Sequence, residues 1–164
     1  MADDQLRFVV NLHHATTPHF DLRLEAEGVL LSWAVPKGPS LDPTVRRLAV
    51  QVDDHELDQL TYEGRSVTDS GRVHTKIVWD TGTYTPAEPP RAAVDRGHLR
   101  FELSGHKLAG GFALTRTRLG DSDRSWILIK LTDEHAEPDR AASGVDRDRS
   151  VLTGVTNDEL AAGG

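Results

Sequence analysis

His19-Phe20-Asp21-Leu22-Arg23-Leu24-Glu25 alternates without a fault: His19, Asp21, Arg23 and Glu25 fall on one side, and Phe20, Leu22 and Leu24 on the other. A period of two marks a β-strand with one buried face. On an ordinary half-exposed strand the polar face is merely solvated. Here Lys and Thr, the usual solvent-facing choices, are absent from it. An imidazole and a carboxylate two residues apart can share one metal ion, and the guanidinium next in line can hold a phosphate or carboxylate bidentately.

The preceding segment, Leu6 to His13, reads as a partner strand, with Phe8, Val10 and Leu12 on one face and Arg7, Val9, Asn11 and His13 on the other. The link His14-Ala15-Thr16-Thr17-Pro18 is short, and its proline interrupts pairing. An antiparallel hairpin would bring His13 close to His19 and Asp21. That set leaves coordination positions open for water and substrate.

Further along, Val29 to Val35 is a nearly continuous apolar strand buried on both sides, stopped by Pro36-Lys37-Gly38-Pro39, which aims Lys37 rigidly. Arg47 to His55 alternates again. The reading places Leu48, Val50 and Val52 inward and Arg47, Ala49, Gln51, Asp53 and His55 outward. Thr61 to Gly64 reads as a turn, Arg65 to Gly71 as a polar loop and Val73 to Trp79 as a strand. Asp80 to Tyr84 reads as a turn into another strand. Arg91 to Arg96 is a helical candidate ended by Gly97, and strands follow at 99–103, 111–117 and 125–131. Eight or nine short strands with frequent turns point to a mainly β fold, a compact antiparallel barrel of about eight strands with one short helix.

The chain has 164 residues, enough for one domain with a real core. Without cysteine, disulfides, thiolate metal sites and a Cys nucleophile are excluded, and a reducing compartment fits. No apolar run approaches membrane-spanning length and the start lacks a signal-peptide pattern, so the expected location is cytoplasmic, with no membrane partner. Net charge is −7, but residues 132–164 carry 8 of the acids and 3 of the bases. The remaining 18 acids and 16 bases leave residues 1–131 near neutral, which does not exclude a DNA ligand. The division expected is therefore a barrel domain over 1–131 and an acidic, aromatic-poor, disordered tail over 132–164, with a helical turn at Thr156 to Glu159 at most.

By His55 these residues resemble a known family. Asn11, His13 and Ala15, the run His19 to Glu25, Gly28-Val29-Leu30, Ser32 to Pro43, and Arg47-Leu48-Ala49-Val50 with Asp54-His55 are similar to the 3′-phosphoesterase domain of bacterial ATP-dependent DNA ligase D. The likeness resumes in Tyr62-Glu63-Gly64, Val78 to Tyr84, Leu103 to Gly110 and Trp126 to Lys130. It implies a β-barrel with a manganese-dependent site on one surface, trimming a terminal ribonucleoside and then a 3′-phosphate at nucleic acid 3′ ends before ligation in break repair. The metal ligands implied are His13, His19 and Asp21. The phosphate-handling residues implied are Arg23, Lys37, Arg47 and His55. Asn11, Ser32 and Asp53 join them as candidate substrate-binding residues.

Four departures bear on substrate range. The glycine-rich loop expected after Gly64 is replaced by Arg65 to Gly71, an active-site tyrosine by Gln59, and a hydroxyl-bearing aromatic by Phe20. An N-terminal arm that helps nucleoside removal is almost missing. With no ligase or polymerase module in the sequence, the expected partner besides nucleic acid is a separate DNA ligase or end-joining factor. Two other readings compete. One is a catalytically weakened DNA-end-binding module, favoured by the altered loop and Gln59. The other is a non-haem iron oxygenase, for which His19, Asp21 and a distant His55 would form the facial triad. Cations at Lys37 and Arg47 argue against a redox pocket.

Overall fold

The alternation at the start becomes an antiparallel hairpin of β1 (Leu6–His14) and β2 (Pro18–Ala26), with Asn11 opposite Asp21 and His13 opposite His19. The computed structural model describes residues 5–15, 17–117, 123–137 and 149–163. β3 (Val29–Val35), β4 (Arg47–His55), β5 (Gly64–Val67), β6 (Val73–Pro86), β7 (His98–Gly105), β8 (Ala109–Arg116) and β9 (Ser125–Lys130) follow. The sheet runs β1-β2-β3-β4-β9-β8-β7-β6, and β6 pairs back with β1. Eight antiparallel strands thus close a barrel as expected, and β5 adds a short ninth strand along β6.

Closure gives each strand an inside and an outside. Phe8, Val10 and Leu12 of β1 and Phe20, Leu22 and Leu24 of β2 point inward with Leu31, Trp33, Trp79, Phe112 and Trp126, forming the main core. The helix α1 (Pro90–Arg96) adds Ala93 and Val94 to it. It starts on a proline and ends on Gly97 at φ +88°, where a side chain would be strained. On the outer wall a smaller cluster of Val9, Leu30, Leu60 and Val78 lies with Leu57, and Leu57 and Leu60 belong to the 3-10 turn Leu57–Leu60. Among the described residues no helix is long and apolar enough to cross a membrane.

Three expectations need correction. In β4 the inward residue is Ala49, fully buried, while Leu48 is 46% exposed. Gln51 also faces in and accepts from the indole Nε1 of Trp126 at 3.2 Å. The phase then slips: Ser32 pairs with Val52 but Leu30 with His55, an extra residue that returns His55 to the outer wall. Next, Asp80 to Tyr84 is not a turn, because β6 is one strand of fourteen residues bulged opposite Val10 and Asn11. Gly82 stands there because a Cβ would strike the Ser104 backbone of β7. Lastly, residues read as loop after Tyr62 supply β5.

The tail divides. Residues 138–148 lie outside the described residues. Residues 149–163, read from composition as disordered, fold against the barrel. Val151 donates its N–H to Val78 O at 3.0 Å, and the buried Asn157 donates through Nδ2 to Leu12 O at 3.3 Å. Val155 and Leu160 pack on the main core. The helix α2 (Asn157–Gly163) opens on a capping box, with Thr156 N–H bonded to Glu159 Oε1 and Glu159 N–H to Thr156 Oγ1. Removing residues 149 onward should therefore cost about 2 kcal/mol, roughly 5 °C in Tm for a chain of this size. A melting curve unchanged by the truncation would show that this docking contributes nothing.

Candidate active site on the outer wall of the barrel

Because β1 and β2 pair in register, their outward residues meet. His13, His19 and Asp21 bring one potential ligand atom each within 4.8 Å of the others. His19 Nε2 lies 3.4 Å from Asp21 Oδ1, and His13 Nδ1 lies 4.0 Å from Asp21 Oδ2. The two imidazole rings stand edge to face at 5.0 Å. Burial, then the charges of Lys76 and His19, push His13 down to about 4, so its ring is neutral at pH 7 and has a lone pair to share. Burial opposes ionisation of Asp21, but the His19 hydrogen bond and the Arg23 charge outweigh it and hold the carboxyl below its usual range. The same hydrogen bond, working against burial, raises His19.

Arg23 is next on β2 and is 2% exposed. Its Nε donates to Asn11 Oδ1 at 3.0 Å and its Nη1 to Ser32 Oγ at 3.0 Å, while Nη2 reaches Asp21 Oδ2 at 3.4 Å. Asn11 is fixed in turn by donating to Ile77 O, and Ser32 by donating to Leu30 O. The two polar residues expected to meet substrate thus hold the guanidinium. One hydrogen remains on each terminal nitrogen. Glu25, last of the alternating set, is bonded to Arg7.

The other expected residues fall at different distances from this cluster. His55 joins it. The bulge in β4 sets it among the charges of Arg23, Lys76 and Asp21, and burial followed by Arg23 lowers its pKa. A carbonyl only accepts, so the 2.9 Å contact of His55 Nδ1 with Asp53 O puts the proton on Nδ1 and leaves Nε2 free. The side chain of Asp53 points to solvent and pairs with Arg124 at 3.6 Å. Lys37 is exposed on the loop after β3. Arg47 shares the inward side of β4 with Ala49 and Gln51, and its buried Nε has no hydrogen-bond partner.

Two residues enter unannounced. Strand β6 lies beside β1 and puts Lys76 opposite His13. The Lys76 ammonium donates to Gln59 Oε1 at 3.2 Å, lies 5.8 Å from the Tyr62 ring centroid, and acts on His13, His19, Asp21 and His55. Burial first, and Arg23 second, lower its pKa. His74, two residues earlier, sets its ring 5.9 Å from that of His13. The signal was present as polar alternation in His74-Thr75-Lys76-Ile77, but the pairing of β6 with β1 joins segments some sixty residues apart and leaves no local trace.

Comparison with known proteins gives the chain a family. Residues 11–116 match the family model described as the DNA Ligase D 3′-phosphoesterase domain. The chain is 46% identical over 149 residues, 90% of its length, to the multifunctional non-homologous end joining protein LigD of Pseudomonas aeruginosa. It is 38% identical over 77% of its length to the LigD repair protein of Mycobacterium tuberculosis, and 32% identical over 88% to that of Mycolicibacterium smegmatis. It spans 18%, 16% and 19% of these relatives, less than a fifth of each. The matched region contains the whole histidine, aspartate and arginine cluster on β1 and β2, and the chain belongs to the DNA ligase D 3′-phosphoesterase domain family.

Proposed function

We propose that this chain is a metal-dependent phosphoesterase that processes nucleic acid 3′ ends during break repair, removing a 3′-phosphate and, more slowly, a terminal ribonucleoside. The observation that carries the reading is the convergence of His13, His19 and Asp21 beside a buried, pre-aimed Arg23 on an open outer wall. Two nitrogens and one oxygen suit manganese or another borderline divalent ion, and the neutral His13 and ionised Asp21 fit that use. When bound, such an ion would supply the charge that polarises a phosphoryl oxygen.

The chain's own groups supply the rest. Arg23 is held by Asn11 and Ser32, so its free N–H groups bind phosphate oxygens without reorganising as charge develops. Phosphate removal forms a bond from water oxygen to phosphorus and breaks the bond to the strand's 3′ oxygen, whereas nucleoside removal forms the same bond and breaks the one to the nucleoside's 5′ oxygen. Nε2 of His55 gains a proton beside the phosphate dianion and donates it to the leaving oxygen. Lys37, exposed on its loop, would reach a substrate from outside the cluster. Arg23 and Lys76 inside it favour a polyanion over the redox pocket of an oxygenase.

Primer-templates ending in 3′-phosphate or 3′-ribonucleotide, incubated with manganese, test the reading. The expected result is loss of the phosphate faster than loss of the nucleoside, with both stopped by a chelator. Nucleoside removal is the more demanding step, because the 2′-hydroxyl and a leaving alkoxide must also be placed. Faster nucleoside removal would reverse this order. Intact ends at every metal concentration, with binding retained, would leave a non-catalytic end binder.

A further inference from the structure

Lys76 is the cation at this site that the polar faces of β1 and β2 do not supply. A half-buried lysine on a barrel wall ordinarily runs its stem along apolar surface and releases its ammonium to water. Lys76 does otherwise. Its Nζ is held by Gln59 Oε1 at 3.2 Å, and its neighbour across the ladder is His13. Gln59 sits on the 3-10 turn Leu57–Leu60, which Leu57 and Leu60 fasten to the outer wall beside Val9 and Val78. The ammonium is therefore aimed by a side chain on a braced turn.

The charges do not balance. Arg23 and Lys76 bring two positive charges, and the carboxylate acting on both is Asp21, which is also bonded to His19. Glu63 is committed elsewhere, accepting from Val78 N–H and from Thr153 Oγ1. A divalent ion on His13, His19 and Asp21 would add two more positive charges. A wall with this surplus gains most from a ligand carrying two negative charges on one phosphorus. A terminal phosphate offers that, and an internal diester does not.

We propose that Lys76, steered by Gln59, is a phosphate-binding residue of this site and sets its preference for a terminal phosphate over a diester linkage. The inference rests on the phosphoesterase reading above and adds the residue that selects between its two substrates.

Lys76→Ala and Lys76→Arg test it in two ways. The first measure is binding of fluorescent oligonucleotides ending in 3′-phosphate or 3′-hydroxyl. The wild type should prefer the phosphate end by roughly tenfold, Lys76→Ala should lose that preference, and Lys76→Arg should keep most of it. The second is steady-state kinetics with manganese. Lys76→Ala should raise KM for the 3′-phosphate end several-fold more than for the ribonucleoside end, and a merely structural lysine would not split the two substrates. Equal end preference in wild type and Lys76→Ala overturns the assignment and leaves the phosphoesterase reading standing. A wild type that cleaves both ends yet binds them equally does the same. A wild type that neither binds nor cleaves overturns both. Equal melting temperatures across the variants exclude misfolding.

Discussion

Replacing Asp21 with alanine should abolish metal-dependent end processing, a fall of about a thousandfold or more, since a bound ion contributes several kcal/mol of transition-state charge stabilisation. Asp21 is the hinge of the cluster: one carboxylate oxygen faces His19, and the other faces His13 and Arg23. Its removal takes away the anionic ligand and leaves Arg23 and Lys76 repelling an incoming cation. Arg23 keeps Asn11 and Ser32, so the fold should survive with a modest loss of stability. Asp21→Asn separates the two effects. The amide oxygen can still accept from Arg23, but without its charge the site should bind manganese far more weakly. Turnover and manganese titration on the same preparations decide the matter. An Asp21→Ala enzyme with wild-type turnover in manganese would remove these ligands from the mechanism.

Asp80→Ala should cost about 4 kcal/mol of stability, the sum of several buried donors left without a partner, and lower Tm by roughly 10 °C. Asp80 is fully buried. Its Oδ1 accepts the N–H groups of His106 and Lys107 at 2.8 and 3.0 Å, and its Oδ2 accepts that of Leu108 at 2.8 Å. It thus ties β6 to the turn between β7 and β8, a link of twenty-six to twenty-eight residues along the chain. Gly105 is glycine because a Cβ there would strike the Asp80 carboxylate and the Phe8 ring. Asp80→Asn should be only partly better, because turning its amide nitrogen toward either side opposes a donor to an N–H. Chemical denaturation gives the measure, and a loss below about 1 kcal/mol would show that water replaces the carboxylate.

These two aspartates differ in how far the sequence exposed them. The neighbours of Asp21 were legible because they lie within one hairpin, where parity and a short link determine who meets whom. Asp80 sat in a run that looks like a turn, Asp80-Thr81-Gly82. Its glycine serves the close approach of β7, a contact twenty-two residues away that no local pattern encodes. In β4 parity failed for another reason. Alternation extrapolates only while the ladder is regular, and the extra residue between Val52 and His55 reverses the phase. Arg47 was therefore placed outward with His55, although the two leave the strand on opposite sides. In the tail, acidic composition hid Val151, Val155 and Leu160, whose apolar contacts fasten the segment.

The outer-wall position of the site has one more consequence. In β1 and β2 the residues that fill the barrel and those that face the ligand occupy alternate rungs of the same ladder. The wall is one strand thick, so its two sides answer to different pressures. Outward positions such as Gln59 and Lys76 can be exchanged without repacking Phe8, Leu22 or Trp33, while inward positions can drift in shape without displacing a ligand. Such a scaffold can revise what its outer wall binds while its architecture stays constant.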